Sequence, residues 1–290
     1  MKKLVKVLSL VLVATFGLSA CGTKDTKTTG SDTSTSTVAP AQESNVKDGV
    51  DTSLDYIKEK GKLVFGFDAS FPPMGYTDED MNYVGFDIDL AKEVCTRMGV
   101  ELVLQPISWS AKEQELSTKN IDLIWNGLSY SEERANTMTL SQAYMDNNQV
   151  VVVLKDSEIQ KVTDLAGKIV VIQNGSTASD AMEAHKEVTD TLKELVKVDD
   201  NVQAMMDLKI KGSDAVVMDE VVALYYMAKD PETYRVLEEG LANEHYVIGF
   251  RKGDEALKNE IEKYLKEMKE DGTLAQICTT WFGKDVNTIQ

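Results

Sequence analysis

Ile121-Asp122-Leu123-Ile124-Trp125-Asn126-Gly127-Leu128-Ser129-Tyr130-Ser131-Glu132-Glu133-Arg134 decides how this chain is read. Ile121 to Trp125 is a short apolar run of strand length. It stops at an Asn-Gly turn signal and passes into hydroxyls, a pair of glutamates and an arginine. A buried strand that ends in a polar, cation-bearing loop is the unit from which ligand sites of open α/β sheets are built, because those sites lie beyond the carboxyl ends of the strands.

The same unit recurs on both sides. Leu63 to Phe67 reads as a first strand, and Gly75 to Val84 as a hairpin around the acidic turn Asp78-Glu79-Asp80. Asp87 stands where it can cap a helix carrying Ile88, Ala91, Val94, Cys95 and Met98, stopped by Gly99. Leu102 and Leu104 mark the next strand. Val150 to Leu154 is an unbroken apolar run, as expected of a strand buried on both faces. Strands at Ile169 to Ile172, Val196 to Val198, Ala215 to Met218 and Tyr246 to Phe250 alternate with helices through Val202, Met205 and Met206, and from Val221 to Ala228. Leu257, Ile261, Leu265 and Met268 make one helical stripe. The expected class is α/β, with helices covering largely parallel sheet.

Polar candidates fall just after the strands: Asp68 with Phe71, Trp109, the segment Asn126 to Arg134, Ser176 and Thr177, and Asp219. Together they suit a free amino acid. Arg134 offers a bidentate fork to a carboxylate, with Ser129 and Thr177 as further donors. Asp219 offers a carboxylate to the ammonium. Phe71 and Trp109 can sandwich the side chain, and Asp68 can meet its polar end. Each also has a plain structural role open to it. Asp219, Ser176 and Thr177 can be helix caps, Asp68 a turn residue, Phe71 and Trp109 core, and Arg134 a solvated residue.

The N-terminus reads as a targeting segment. Lys2, Lys3 and Lys6 precede an apolar run from Leu8 to Leu18, too short for a comfortable mature span. Leu18-Ser19-Ala20-Cys21 is a lipoprotein signal, with Cys21 as the acylated new N-terminus. Residues 1–20 are then the signal peptide. Residues 21–53, rich in Thr, Ser, Asp and Lys, are the lipidated cysteine and a flexible tether. Loss of three lysines takes the formal charge from −17 to about −20, which argues against nucleic acid as a partner. Two histidines and the remaining Cys95 and Cys278 show no paired ligand spacing, so no metal or cofactor is expected. Two separate buried thiols is the favoured reading of those cysteines over a disulfide.

At this point the chain resembles the bacterial extracellular solute-binding proteins of family 3, the polar amino-acid-binding proteins of ABC importers. The resemblance rests on Val84-Gly85-Phe86-Asp87-Ile88-Asp89-Leu90-Ala91, on Ile121 to Gly127 with Ser131-Glu132-Glu133-Arg134, and on Lys269-Glu270-Asp271-Gly272-Thr273. It covers nearly all of 54–290. It implies a two-lobed periplasmic-binding-protein-like (type II) fold, each lobe a mostly parallel sheet flanked by helices. Lobe 1 would hold 54–147 and 246–290, lobe 2 would hold 148–245, and a two-strand hinge would join them. It further implies side-chain contacts from Asp68, Phe71 and Trp109, a backbone contact from Gly127 to the ammonium, and a carboxylate clamp of Ser129 and Arg134. Thr177 would be a second-lobe donor and Asp219 the ammonium partner. Asn126 stands where the family often has a small residue, Trp109 where phenylalanine is usual, and Ala178 lacks the polar side chain of some relatives. The implied partners are a free L-amino acid, permease subunits and the membrane through the lipid anchor, with a monomer as the default for a hinged trap. A basic amino acid or glutamine is favoured, cystine less so. The alternatives are a dehydratase acting on arogenate or prephenate, and a ligand-sensing partner of a membrane receptor.

Overall fold

The computed structural model describes residues 45–47 and 49–290, so the signal peptide, Cys21 and most of the tether lie outside the described residues. A ten-stranded sheet carries the fold. Its eight main strands are β1 (Lys62–Phe67), β2 (Glu101–Pro106), β3 (Leu123–Ser129), β4 (Met145–Leu154), β5 (Ile169–Gln173), β6 (Glu194–Val198), β7 (Ala215–Asp219) and β8 (Ala242–Arg251). Across the sheet they run β6-β5-β7-β4-β8-β3-β1-β2. The outer triplets are parallel, β6-β5-β7 at one end and β3-β1-β2 at the other. The two long strands between them, β4 and β8, are antiparallel to each other and to their outer neighbours.

The parallel strands are covered by helices on both faces, which is why they read as continuous apolar runs. All seven residues of β3 and all five of β7 are buried. The amphipathic helix Glu255–Glu270 buries Leu257, Ile261, Leu265 and Met268, the stripe expected from their spacing. One apolar cluster runs continuously from Phe65, Trp125 and Ile248 into Val152, Val171 and Met218, so the sheet's two ends share a core. Cys95 and Cys278 are buried as free thiols.

Two local readings differ. Asp87 is not a cap: the helix begins at Phe86 behind Gly85, whose φ of 152° and close approach to the Met74 carbonyl exclude a side chain. The Asp87 carboxylate instead turns inward, accepting the Gly127 N–H at 2.9 Å and the Tyr144 hydroxyl at 2.9 Å. Strand β3 also continues past Trp125, carrying Asn126, Gly127 and Ser129 within it. Its register against β8 shifts between Val247 and Gly249, a bulge that takes up Gly127 at a φ of 59°.

Candidate functional site

Where the carboxyl ends of the two parallel triplets face each other, a narrow cavity is lined by Phe71, Trp109, Gly127, Ser129, Arg134, Ser176, Thr177 and Asp219, joined by Gln173. Eight of the ten sequence-derived candidates therefore meet at one place. The free volume is about 10 Å³, room for roughly one water. The cavity as it stands is smaller than an amino acid.

Arg134 reaches the cavity from the short helix Glu132–Thr137, which Ser131 caps by accepting the Arg134 N–H at 3.2 Å. Arg134 is only 8 % exposed, and its guanidinium donates to the carbonyls of Ser129 (2.6 Å) and, across the cleft, Gly175 (3.3 Å). Among the described residues no carboxylate lies within ion-pair distance of it. Burial pushes its pKa down, against the pull of Glu113, Glu244, Asp180 and Asp219. Lys112 stands beside it, buried, donating to the Gly175 carbonyl at 2.9 Å and the Trp109 carbonyl at 3.2 Å, with its pKa lowered by burial and by Arg134. Lys112 is also paired with the Glu113 carboxylate at 3.2 Å, so Arg134, with only neutral carbonyl partners, is the desolvated cation that offers a strong seat for an anion.

Asp219 closes strand β7 on the opposite side. It occupies the cap position of the helix Glu220–Lys229, but its side chain makes no capping bond. Its Oδ1 accepts from the Tyr246 hydroxyl at 2.8 Å and from Asn147 at 2.7 Å. Burial, then the charge of Glu244, pushes its pKa up to about 7. A carboxyl held out of water in this way gains from a cationic partner.

Asp68 and Asn126 sit beside the cavity. The Asn126 side chain accepts the Asp68 N–H at 3.0 Å. Asp68 is the turn residue the sequence allowed, its Oδ1 accepting the Ser70 N–H at 2.8 Å, while Oδ2 faces the cleft and accepts from Gln173 at 2.7 Å. Burial raises its pKa to about 6. Phe71 and Trp109 are buried walls. Ser176 spends its hydroxyl on the Gln173 carbonyl at 2.8 Å, so its place is that of a turn residue. Thr177 precedes the helix Ala178–Ala184 without a side-chain cap bond, leaving its hydroxyl toward Gln149 at 3.4 Å. The Gly127 N–H is taken by Asp87, which leaves its carbonyl as the group that can meet a ligand.

Gln173, Lys112, Asn147, Gln149 and Glu244 were not singled out by the sequence reading. Gln173 is the last residue of β5 and obeys the strand-end rule. Glu244 and Tyr246 share a face of β8 by strand alternation, a signal present before the apolar run begins. The Ser129 hydroxyl, expected to serve a ligand carboxylate, donates to Glu244 Oε2 at 2.7 Å.

Known proteins resemble the chain over most of its length. The L-cystine-binding protein TcyJ of Escherichia coli is 29% identical over 235 residues, 80% of this chain and 87% of its own. The arginine-binding extracellular protein ArtP of Bacillus subtilis is 32% identical over 226 residues, 77% of this chain and 87% of its own. An ABC uptake transporter substrate-binding protein from Streptococcus pneumoniae, solved with bound histidine, superposes with a TM-score of 0.79 at 36% identity, covering 82% of this chain and 98% of that one. The architecture is that of the type II periplasmic binding proteins. The description "bacterial extracellular solute-binding proteins, family 3" matches residues 63–284, and the chain belongs to that family.

Proposed function

We propose that the chain captures a free L-amino acid with a polar side chain and presents it to the permease of an ABC importer, without chemistry on the ligand. The observation that carries this reading is the pairing of a buried Arg134, bonded only to carbonyls, with a buried Asp219 on the same cavity. A carboxylate and an ammonium one carbon apart match that pair, and each opposite charge relieves a desolvation cost. Phe71 and Trp109 enclose the side chain, with Asp68 and Gln173 at its polar end. Arg134 and Lys112 stand among the carboxylates of Asp68, Glu113, Asp219 and Glu244, an excess of negative groups that favours a ligand carrying net positive charge. A basic amino acid therefore ranks ahead of glutamine and cystine, both of which are net neutral.

We assign 54–147 with 246–290 to one lobe, 148–245 to the other, and β4 and β8 to the hinge. Support comes from the register, in which Met145 to Gln149 pair with Tyr246 to Ala242 where the two parallel triplets join. We further assign Cys21 as the acylation site that tethers a monomer to the outer face of the membrane, on the Leu18-Ser19-Ala20-Cys21 pattern. Labelling with a palmitate analogue should mark the parent and not Cys21→Ser.

A thermal-shift screen of the twenty amino acids plus cystine, followed by calorimetry, tests the function. A basic amino acid should give the largest shift. Arg134→Ala should weaken its binding by about 100-fold or more, the scale of a lost charge-assisted pair. Equal binding by that variant contradicts the assignment.

A further inference from the structure

The Glu244 carboxylate gathers three donors on one oxygen. Oε2 accepts from Ser129 Oγ at 2.7 Å, Asn147 Nδ2 at 3.1 Å and Gln149 Nε2 at 3.1 Å. Asn147 lies directly opposite Glu244 across the β4–β8 pair, and the same Nδ2 also donates to Asp219 Oδ1 at 2.7 Å. One hydrogen-bonded chain thus runs from Ser129 at one end of the sheet, through the two crossing strands, to Asp219 at the other.

A serine hydroxyl has one proton and two lone pairs, and a carboxylate can only accept. With its proton given to Glu244, Ser129 has none for a ligand carboxylate. What it presents to the cavity is an acceptor oxygen, and the ligand group that needs acceptors is the ammonium.

We propose that Glu244 is a positioning residue for ammonium recognition: by taking the Ser129 proton and sharing Asn147 with Asp219, it makes Ser129 an acceptor beside Asp219. Glu244 itself stays behind Ser129 and supplies a second negative charge to the seat. The inference rests on the amino-acid reading above and gives Ser129 the opposite role from the carboxylate donor its sequence context implies.

The test uses paired ligands that differ only in lacking their α-amino groups, one in the first three pairs and two in the last: L-arginine and δ-guanidinovalerate, L-histidine and imidazolepropionate, L-glutamine and glutaramate, L-cystine and dithiodipropionate. Calorimetry, by competition where binding is weak, gives the ratio of the two dissociation constants for the best-bound pair. Glu244→Ala and Ser129→Ala should each shrink that ratio by about tenfold or more, the size of a hydrogen bond to a charged group. The double variant should lose less than the sum of the two single ones, because Glu244 acts in part through Ser129. Glu244→Gln, which keeps an oxygen in front of Ser129, should retain more of the ratio than Glu244→Ala. A purely structural role weakens both members of a pair equally, and an unchanged ratio in folded Glu244→Ala overturns the proposal. Should Glu244→Ala not fold, an unchanged ratio in Ser129→Ala overturns it equally. Should another amino acid bind best, its own deamino analogue completes the pair; if the parent binds none of the twenty amino acids and not cystine, the amino-acid reading fails and this proposal with it, an outcome distinct from an unchanged ratio.

Discussion

Arg134 and Asp219 owe their character to being out of water. On the surface an arginine after two glutamates is a solvated turn residue. Here it is buried against carbonyls, with Asp219 held across the cavity by Tyr246 and Asn147. The raised pKa of Asp219 sets a pH dependence. A ligand ammonium favours the ionised carboxylate, so below about pH 7 binding has to expel a proton. Affinity should rise from pH 5 to pH 8, and calorimetry in buffers of different ionisation enthalpy should detect proton release on the acid side. Asp219→Asn should flatten the profile while weakening binding. Without ligand the sign reverses. Asp68 (about 6), Asp87 (about 7) and Asp219 (about 7) are all raised above their ordinary 3.8, so the stability they contribute is complete below that value and is lost as pH rises through 6 to 7. The ligand-free Tm should therefore fall between pH 5 and 8, a trend that bound amino acid opposes. At this scale the residues at or just beyond strand ends were legible in the sequence, since topology alone brings them together. Asp87 was misread because an acid near a helix start looks like a cap, and only the Gly85 backbone shows where the helix begins.

At the scale of elements, β3, β4 and β8 set the site's geometry. The bulge in β3 holds Gly127 at a φ of 59°, and a Cβ there would lie 2.8 Å from Phe71 Cε1 and 3.1 Å from Tyr246 Cζ. Gly127→Ala thus adds backbone strain to a clash with a cavity wall and with the tyrosine that holds Asp219. Denaturant unfolding should show a loss of about 1–3 kcal/mol, and ligand affinity should drop with it. Unchanged stability and affinity would mean the bulge is incidental. Strand-end reasoning could not find Asn147, Gln149 and Glu244, because they lie inside β4 and β8. Their polar character within a strand is explained only once the sheet order puts both strands at its centre. The unbroken Val150–Leu154 run and the Leu257 to Met268 stripe were readable because burial imposes a period on sequence.

For the whole molecule, side chains from both ends of the sheet bridge the closed cleft. Asp68 meets Gln173, Arg134 and Lys112 meet the Gly175 carbonyl, and Tyr76 packs on Tyr225 at 5.6 Å between ring centroids. The hinge proposed at β4 and β8 would open this cavity, which admits about one water, for capture and close it on a ligand that gains from contacts to both sides at once. Small-angle scattering should show the radius of gyration falling when saturating ligand is added, and an identical value with and without ligand would contradict hinged capture.

The most direct measurement is a crystal structure with the best-binding amino acid. The account predicts its carboxylate on the Arg134 guanidinium and its ammonium within hydrogen-bond distance of Asp219, between Phe71 and Trp109. An amino acid bound elsewhere, or in this cleft with neither residue touching it, would contradict the account.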